Sequence, residues 1–267
     1  MMTPEIWAVV AAVLLGLAVV SGGLGMAVLR GRWGAVALVS RMAALAALVV
    51  ALVAAAIVHG QWSAADPRQA MLGLVAAMLA IHLLLAWRLG AGTAGPVMDL
   101  AAIVLSLVSA FIVGVGSPGF ICVQLPALYQ AQWIFLSLGG GSVLVAACAG
   151  LMLLLRKGLL SRDWELTLPG WSPLYGLLAQ ATVLALAALG SGLVIGVWWA
   201  WWTWGTLGSE SAREVWMAVA WLITAMSLLA WQLDTRRSRW AAALVLVAAT
   251  AVLIGLLLPV DLPAAGI

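Results

Sequence analysis

The chain alternates eight apolar runs with short polar breaks, and this pattern constrains its fold more than any single residue does. A helix needs about 20 apolar residues to cross the hydrocarbon core of a bilayer. Hydrophobic residues make up 66% of the 267 residues and charged residues 8%, whereas soluble domains carry about 25% charged residues. Because membrane helices satisfy their own backbone hydrogen bonds, we predict an all-α polytopic membrane helix bundle. About eight transmembrane helices form a single integral membrane domain over 1–267, with spans near 6–29, 42–59, 70–87, 97–116, 131–155, 174–200, 214–233 and 240–258.

The basic residues are distributed unequally between the two sets of breaks. Of the 12 Lys and Arg residues, only Arg68 and Arg213 fall in the set that follows the even-numbered spans. Lys and Arg concentrate in cytoplasmic loops of membrane proteins. We therefore expect both termini outside and a multi-pass protein of the plasma membrane. The tryptophan-rich segment at 198–204 then lies on the extracytoplasmic side.

Composition and spacing argue against several classes of function. A net charge of +3, without a basic patch interleaved with aromatic residues, gives no reason to expect nucleic acid as a partner. The chain has no paired carboxylates at one depth, no Ser–His–Asp arrangement and no H-x-x-x-H spacing. We therefore favour a role other than catalysis, with membrane lipids as one set of partners. A transporter is disfavoured because we expect no charge within the spans, and we place Asp99 at the interface.

Five tryptophans lie within Trp198 to Trp204, directly before a short polar segment. One interpretation is an aromatic belt, in which indoles lie at the level of the lipid headgroups. The other is an aromatic platform on which a planar ligand stacks. In the polar segment, Glu210, Arg213 and Glu214 are expected to form a solvated charged edge or to stabilise the start of the following helix, and Ser209 or Ser211 to cap that helix.

Several segments resemble the membrane cytochrome c assembly proteins (CcsA-, CcmC- and HemX-like). These haem-handling proteins carry an outer tryptophan-rich WWD segment of the form W-G-x-x-W-x-W-D-P-x-E-x-W. Trp204 and Gly205 match its opening, and Glu214, Trp216 and Trp221 match later positions. The segments 138–157 and 229–249 are similar to the family's neighbouring helices. The resemblance implies haem as cofactor and cytochrome c maturation on the outer face. The implied haem-contacting residues are Trp199, Trp204, Gly205, Glu214, Trp216, Trp221 and His59.

The chain also departs from that family at chemically important positions. Gly208, Glu210 and Ser211 replace two tryptophans and the aspartate of the motif, and Gln132 stands where the family has an axial histidine. No histidine follows His82, so His59 and His82 are the candidate metal ligands. Two functions stay open. One is haem handling in cytochrome c maturation. The other is a haem-free structural subunit that binds partner membrane proteins of a maturation or electron-transfer complex.

Overall fold

The computed structural model describes residues 4–27, 32–59, 66–89, 95–111, 126–158, 171–205, 211–233 and 238–258. These ranges form helices α1 (Pro4–Ala27), α2 (Arg32–His59), α3 (Pro67–Leu89), α4 (Gly95–Phe111), α5 (Pro126–Gly158), α6 (Trp171–Trp204), α7 (Ala212–Leu233) and α8 (Ser238–Leu257), with no strand among them. The predicted all-α membrane bundle is confirmed.

Six of these helices are long and apolar enough to cross a membrane by length and composition, namely α2, α3, α5, α6, α7 and α8. The shorter apolar helices are Val9–Val20, within α1, and Gly95–Phe111. Helix α2 begins ten residues before the predicted span and includes Arg32 and Arg41. The prediction stopped at Arg41 because a hydropathy pattern treats an arginine as a span boundary. An arginine that has a buried ion-pair partner can lie inside the bundle, so the helix does not have to end there.

Helix α3 joins the two parts of the core. One apolar cluster gathers buried residues of α1, α2, α3 and α4, and the other gathers residues of α3, α5, α6, α7 and α8 together with Met98 of α4. In both α3 and α5, 72% of the most apolar 18-residue stretch of the helix is buried inside the protein. Helix α2 packs on α1 and α3, so α3 lies between α2 and the second cluster.

Glycines on α5 allow its backbone to approach α3 and α6 closely. A β-carbon on Gly141 would lie 2.6 Å from the Met78 backbone nitrogen, and one on Gly139 would lie 2.7 Å from the Leu189 backbone nitrogen. Neither position tolerates a side chain, as expected for small residues at helix interfaces. These approaches also fix the alignment of the helices: α5 runs parallel to α3 and antiparallel to α6.

The helices therefore share two ends. The end at which α3 and α5 begin, α6 ends and α7 begins is called the tryptophan end below. The opposite end, where α2 and α4 begin and α3 ends, is called the arginine end. Which end faces the outside of the cell stays a prediction.

Candidate functional site at the tryptophan end

Four aromatic residues form a continuous cluster between α5 and α6. The Tyr129 ring lies 5.1 Å from the Trp199 ring between centroids, and Trp199 meets Trp204 edge-on at 4.8 Å and 71°. Trp133 meets Tyr129 edge-on at 6.2 Å. Trp199 is 2% exposed, and edge-to-face pairs of this kind add stability beyond the area they bury. The cluster is consequently a packed part of the core.

The other tryptophans of the segment face away from the protein. Trp198, Trp201 and Trp202 are exposed by 54%, 55% and 65%. Successive helical residues lie about 100° apart, so one segment supplies both buried and exposed indoles. The exposed ones have the placement expected of an aromatic belt. The platform interpretation does not fit Trp199, because its ring faces are covered by the protein.

Arg213 is fully buried beneath this cluster. Its Nη2 donates to the carbonyl oxygens of Leu256 at 3.2 Å and Leu258 at 2.9 Å, and its guanidinium lies 5.2 Å from the Trp133 ring centroid. The last carbonyls of a helix lack partners within the helix and carry partial negative charge. Arg213 therefore caps the end of α8. The expectation of a solvated charged edge is wrong for Arg213, because this cap supplies the partners that burial of an arginine requires.

Gln132 links α5 to the start of α7. Its Nε2 donates to Glu214 Oε1 at 2.9 Å, and the side chain is 1% exposed. A β-carbon on Gly196 would overlap the Gln132 amide, so the glycine makes room for it. The amide therefore occupies the position where the resemblance implies an axial histidine. It uses the carboxylate of Glu214, one of the predicted site residues, as its partner.

The other motif-matched residues lie along the same end of α6 and α7. Gly205 has a φ of 71° and its N–H donates to the Trp201 carbonyl at 3.0 Å, which is a left-handed helix end. The Trp221 indole donates to the Leu186 carbonyl at 3.1 Å. Trp216 contacts the position of Gly255 on α8. Each of these residues therefore stabilises helix packing or a helix end.

The polar segment is described only from Ser211 onward. Ser211 precedes α7 in the N-cap position, and its carbonyl accepts hydrogen bonds from the N–H groups of Glu214 and Val215. Residues 206–210, which include Gly208, Ser209 and Glu210, lie outside the described residues. Of the two predicted serines, Ser211 is therefore the one that occupies the N-cap position of α7.

His82 is not brought to the cluster, and the His59 side chain cannot be placed relative to it. His59 is the last residue of α2, and its side chain lies outside the described residues. Because Gly140 on α5 meets Leu74 on α3, Trp133 is level with the first turn of α3. At 1.5 Å per residue, His82 is about 20 Å further towards the arginine end. Within the described residues, no group of three His, Cys, Asp or Glu could hold a metal ion.

Sequence reasoning missed the buried charges. Asp99 is 0% exposed and pairs with Arg41, a contact that the sequence did not predict, and its level relative to the membrane interface stays a prediction. Arg213 carried a usable signal: a cation in the first turn of a helix is unfavourable to the helix dipole. Such a residue needs a partner elsewhere in the fold. Its partner, the end of α8, lies 43 and 45 residues away in the chain and could not be read from local sequence.

These features define a polytopic α-helical bundle of the membrane type, whose tryptophan end is closed by aromatic and charged side chains. No family model matches the sequence, and no curated protein matches it. Among solved structures, the chain is similar to "Cytochrome c Heme Lyase CcmF" with a TM-score of 0.68 and 20% sequence identity. The match covers 97% of this chain and 47% of that chain, so this chain spans about half the length of the haem lyase. At this identity the likeness concerns the fold.

Proposed function

We propose that this protein is a membrane component of cytochrome c maturation that uses the fold of a haem lyase as a haem-free structural subunit. Two independent lines support a place in maturation. The tryptophan-rich segment resembles that of cytochrome c assembly proteins, and the fold is similar to that of CcmF over 97% of the chain. The closed tryptophan end supports the structural role.

The observation that carries the haem-free role is the packing of Trp199. This indole is 2% exposed and wedged between Tyr129 and Trp204, so it offers no open ring face to a porphyrin. Arg213 and the Gln132–Glu214 hydrogen bond fill the adjoining space between the helices. A haem bound between these helices would have to displace these side chains, which stabilise the end of α6, the start of α7 and the end of α8.

The available iron ligands support the same conclusion. Haem iron is held by an axial residue such as histidine. His82 is about 20 Å from Trp133 along the bundle axis. This distance is too large for one haem to be bound by His82 and also to contact the aromatic cluster. His59 ends α2, a helix that packs on α1 and α3, and neither of these carries a tryptophan of the cluster. The residues of the tryptophan end therefore act as structural supports, and the exposed indoles contact lipid or a partner membrane protein.

The alternative is haem handling by this chain itself, and the name of its structural neighbour favours it. The residues involved would be His59 and the tryptophans Trp199, Trp204, Trp216 and Trp221, with Gly205 and Glu214 shaping the site. His82 would be a separate ligand in the membrane interior. This alternative requires the aromatic cluster to open.

Both candidates are tested by one experiment in two parts. Deleting the gene should lower haem-stained c-type cytochromes, and a His59→Ala, His82→Ala double variant should restore them. Protein purified from haem-supplemented cells should have no stoichiometric Soret band. Unchanged cytochromes in the deletion strain would contradict a role in maturation. A Soret band that His59→Ala removes would establish the haem-handling alternative.

A further inference from the structure

A second buried polar group lies towards the arginine end and involves α2, α3 and α4. Arg41 Nε donates to both carboxylate oxygens of Asp99 at 2.9 Å, and Nη2 donates to Oδ2 at 2.7 Å. A β-carbon on Gly95 would overlap the Arg41 guanidinium, so the first residue of α4 makes room for it. The pair with Asp99 leaves the Nη1 N–H groups of Arg41 for other partners, since a guanidinium carries five donors.

His82 lies at the level of this ion pair. Ser109 on α4 donates to the Arg68 carbonyl on α3, which aligns the two antiparallel helices. His82 is fourteen residues beyond Arg68, and Gly95 is fourteen residues before Ser109. Since the two helices have the same rise per residue, His82 and Gly95 share one level.

The His82 side chain is 0% exposed, and neither ring nitrogen has a hydrogen-bond partner among the described residues. A neutral imidazole carries one donor and one acceptor. Some buried hydroxyls of the bundle are satisfied within their own helix, as Thr182 is by the Leu178 carbonyl and Thr224 by the Ala220 carbonyl. Buried polar groups without such partners are usually satisfied by internal water, which typically makes about three hydrogen bonds.

We propose that His82 and the Arg41–Asp99 ion pair line an internal site that binds water. The water donates to the acceptor nitrogen of His82 or accepts from its N–H. It completes its hydrogen bonds with the guanidinium and carboxylate. The site is separate from the tryptophan end, and the proposal does not depend on the function proposed above. It places a hydrated imidazole within a span that the sequence presents as apolar.

Thermal unfolding in detergent tests for water at this position. A glutamine in place of His82 would keep a donor and an acceptor for the water, whereas a leucine removes both. His82→Gln should therefore retain a Tm close to that of the native protein, and His82→Leu should have a lower Tm. In a dry site the leucine would relieve two unsatisfied polar atoms. A Tm for His82→Leu at or above the native value would refute the water site.

Discussion

Removing the carboxylate of Asp99 should be among the most damaging single changes in this protein. Asp99 accepts three hydrogen bonds from Arg41 at 2.7 to 2.9 Å, and the two side chains are 0% and 8% exposed. Breaking a buried pair by removing one partner costs about 3–5 kcal/mol, because an uncompensated charge is left behind. We expect Asp99→Ala to lose about this amount, since Asp99 is the carboxylate that pairs with Arg41 within the described residues.

Removing Arg41 instead of Asp99 should lower the free energy of unfolding by a smaller amount. Arg41→Met leaves a carboxyl group that can take up a proton and become neutral, whereas an arginine cannot lose its charge. Replacing both partners, with Arg41→Met and Asp99→Leu, should cost less than Asp99→Ala alone, because apolar replacements of a buried pair are often neutral or stabilising. The two single losses are therefore strongly non-additive.

Reversible unfolding in mixed detergent and SDS micelles measures this double-mutant cycle. Arg88→Met is the matched control, because Arg88 is exposed and its loss should change the free energy of unfolding by less than about 0.5 kcal/mol. Additive effects of the two single changes, or a loss below about 1 kcal/mol for Asp99→Ala, would refute the argument. Either result would mean that Arg41 finds another partner at little cost.

Three further changes test the tryptophan end. Trp204→Ala should lower the free energy of unfolding by about 2 kcal/mol more than Trp201→Ala, because Trp204 packs edge-on against Trp199 while Trp201 is 55% exposed. Gly196→Ala should cost about 1–3 kcal/mol, since the added methyl group overlaps the Gln132 amide. Gly205→Ala should cost about 1–2 kcal/mol, because its φ of 71° is left-handed. Thermal unfolding of the purified variants in detergent measures all three.

Each of these changes has an outcome that would contradict its basis. Equal unfolding temperatures for Trp204→Ala and Trp201→Ala would mean that the aromatic cluster contributes no stability. For Gly196→Ala, the control is Gly34→Ala, whose added methyl group meets nothing within 4 Å. Identical stability of these two variants would remove the argument for a tight Gln132–Glu214 contact. If Gly205→Ala were as stable as the native protein, the left-handed end of α6 would be wrong.

The sequence alone established the class of fold. Runs of apolar residues near the thickness of a bilayer permit only helices, because lipid offers no partner to an unsatisfied backbone group. Small residues are typical of helix interfaces in membranes, and the structure places Gly139 and Gly141 each against a neighbouring backbone. These features could be predicted from the sequence because each depends only on a single segment and on the medium that surrounds it.

Tertiary structure decided which polar and aromatic residues are inside. Trp198 and Trp199 are neighbours with the same chemistry, yet one is 54% exposed and the other 2%. Helical geometry predicts that their faces differ, but only the position of α5 determines which one is buried. Arg41 and Asp99 lie 58 residues apart, and Gln132 and Glu214 lie 82 residues apart. Such pairs form because two distant helices pack side by side, and no local pattern encodes that contact.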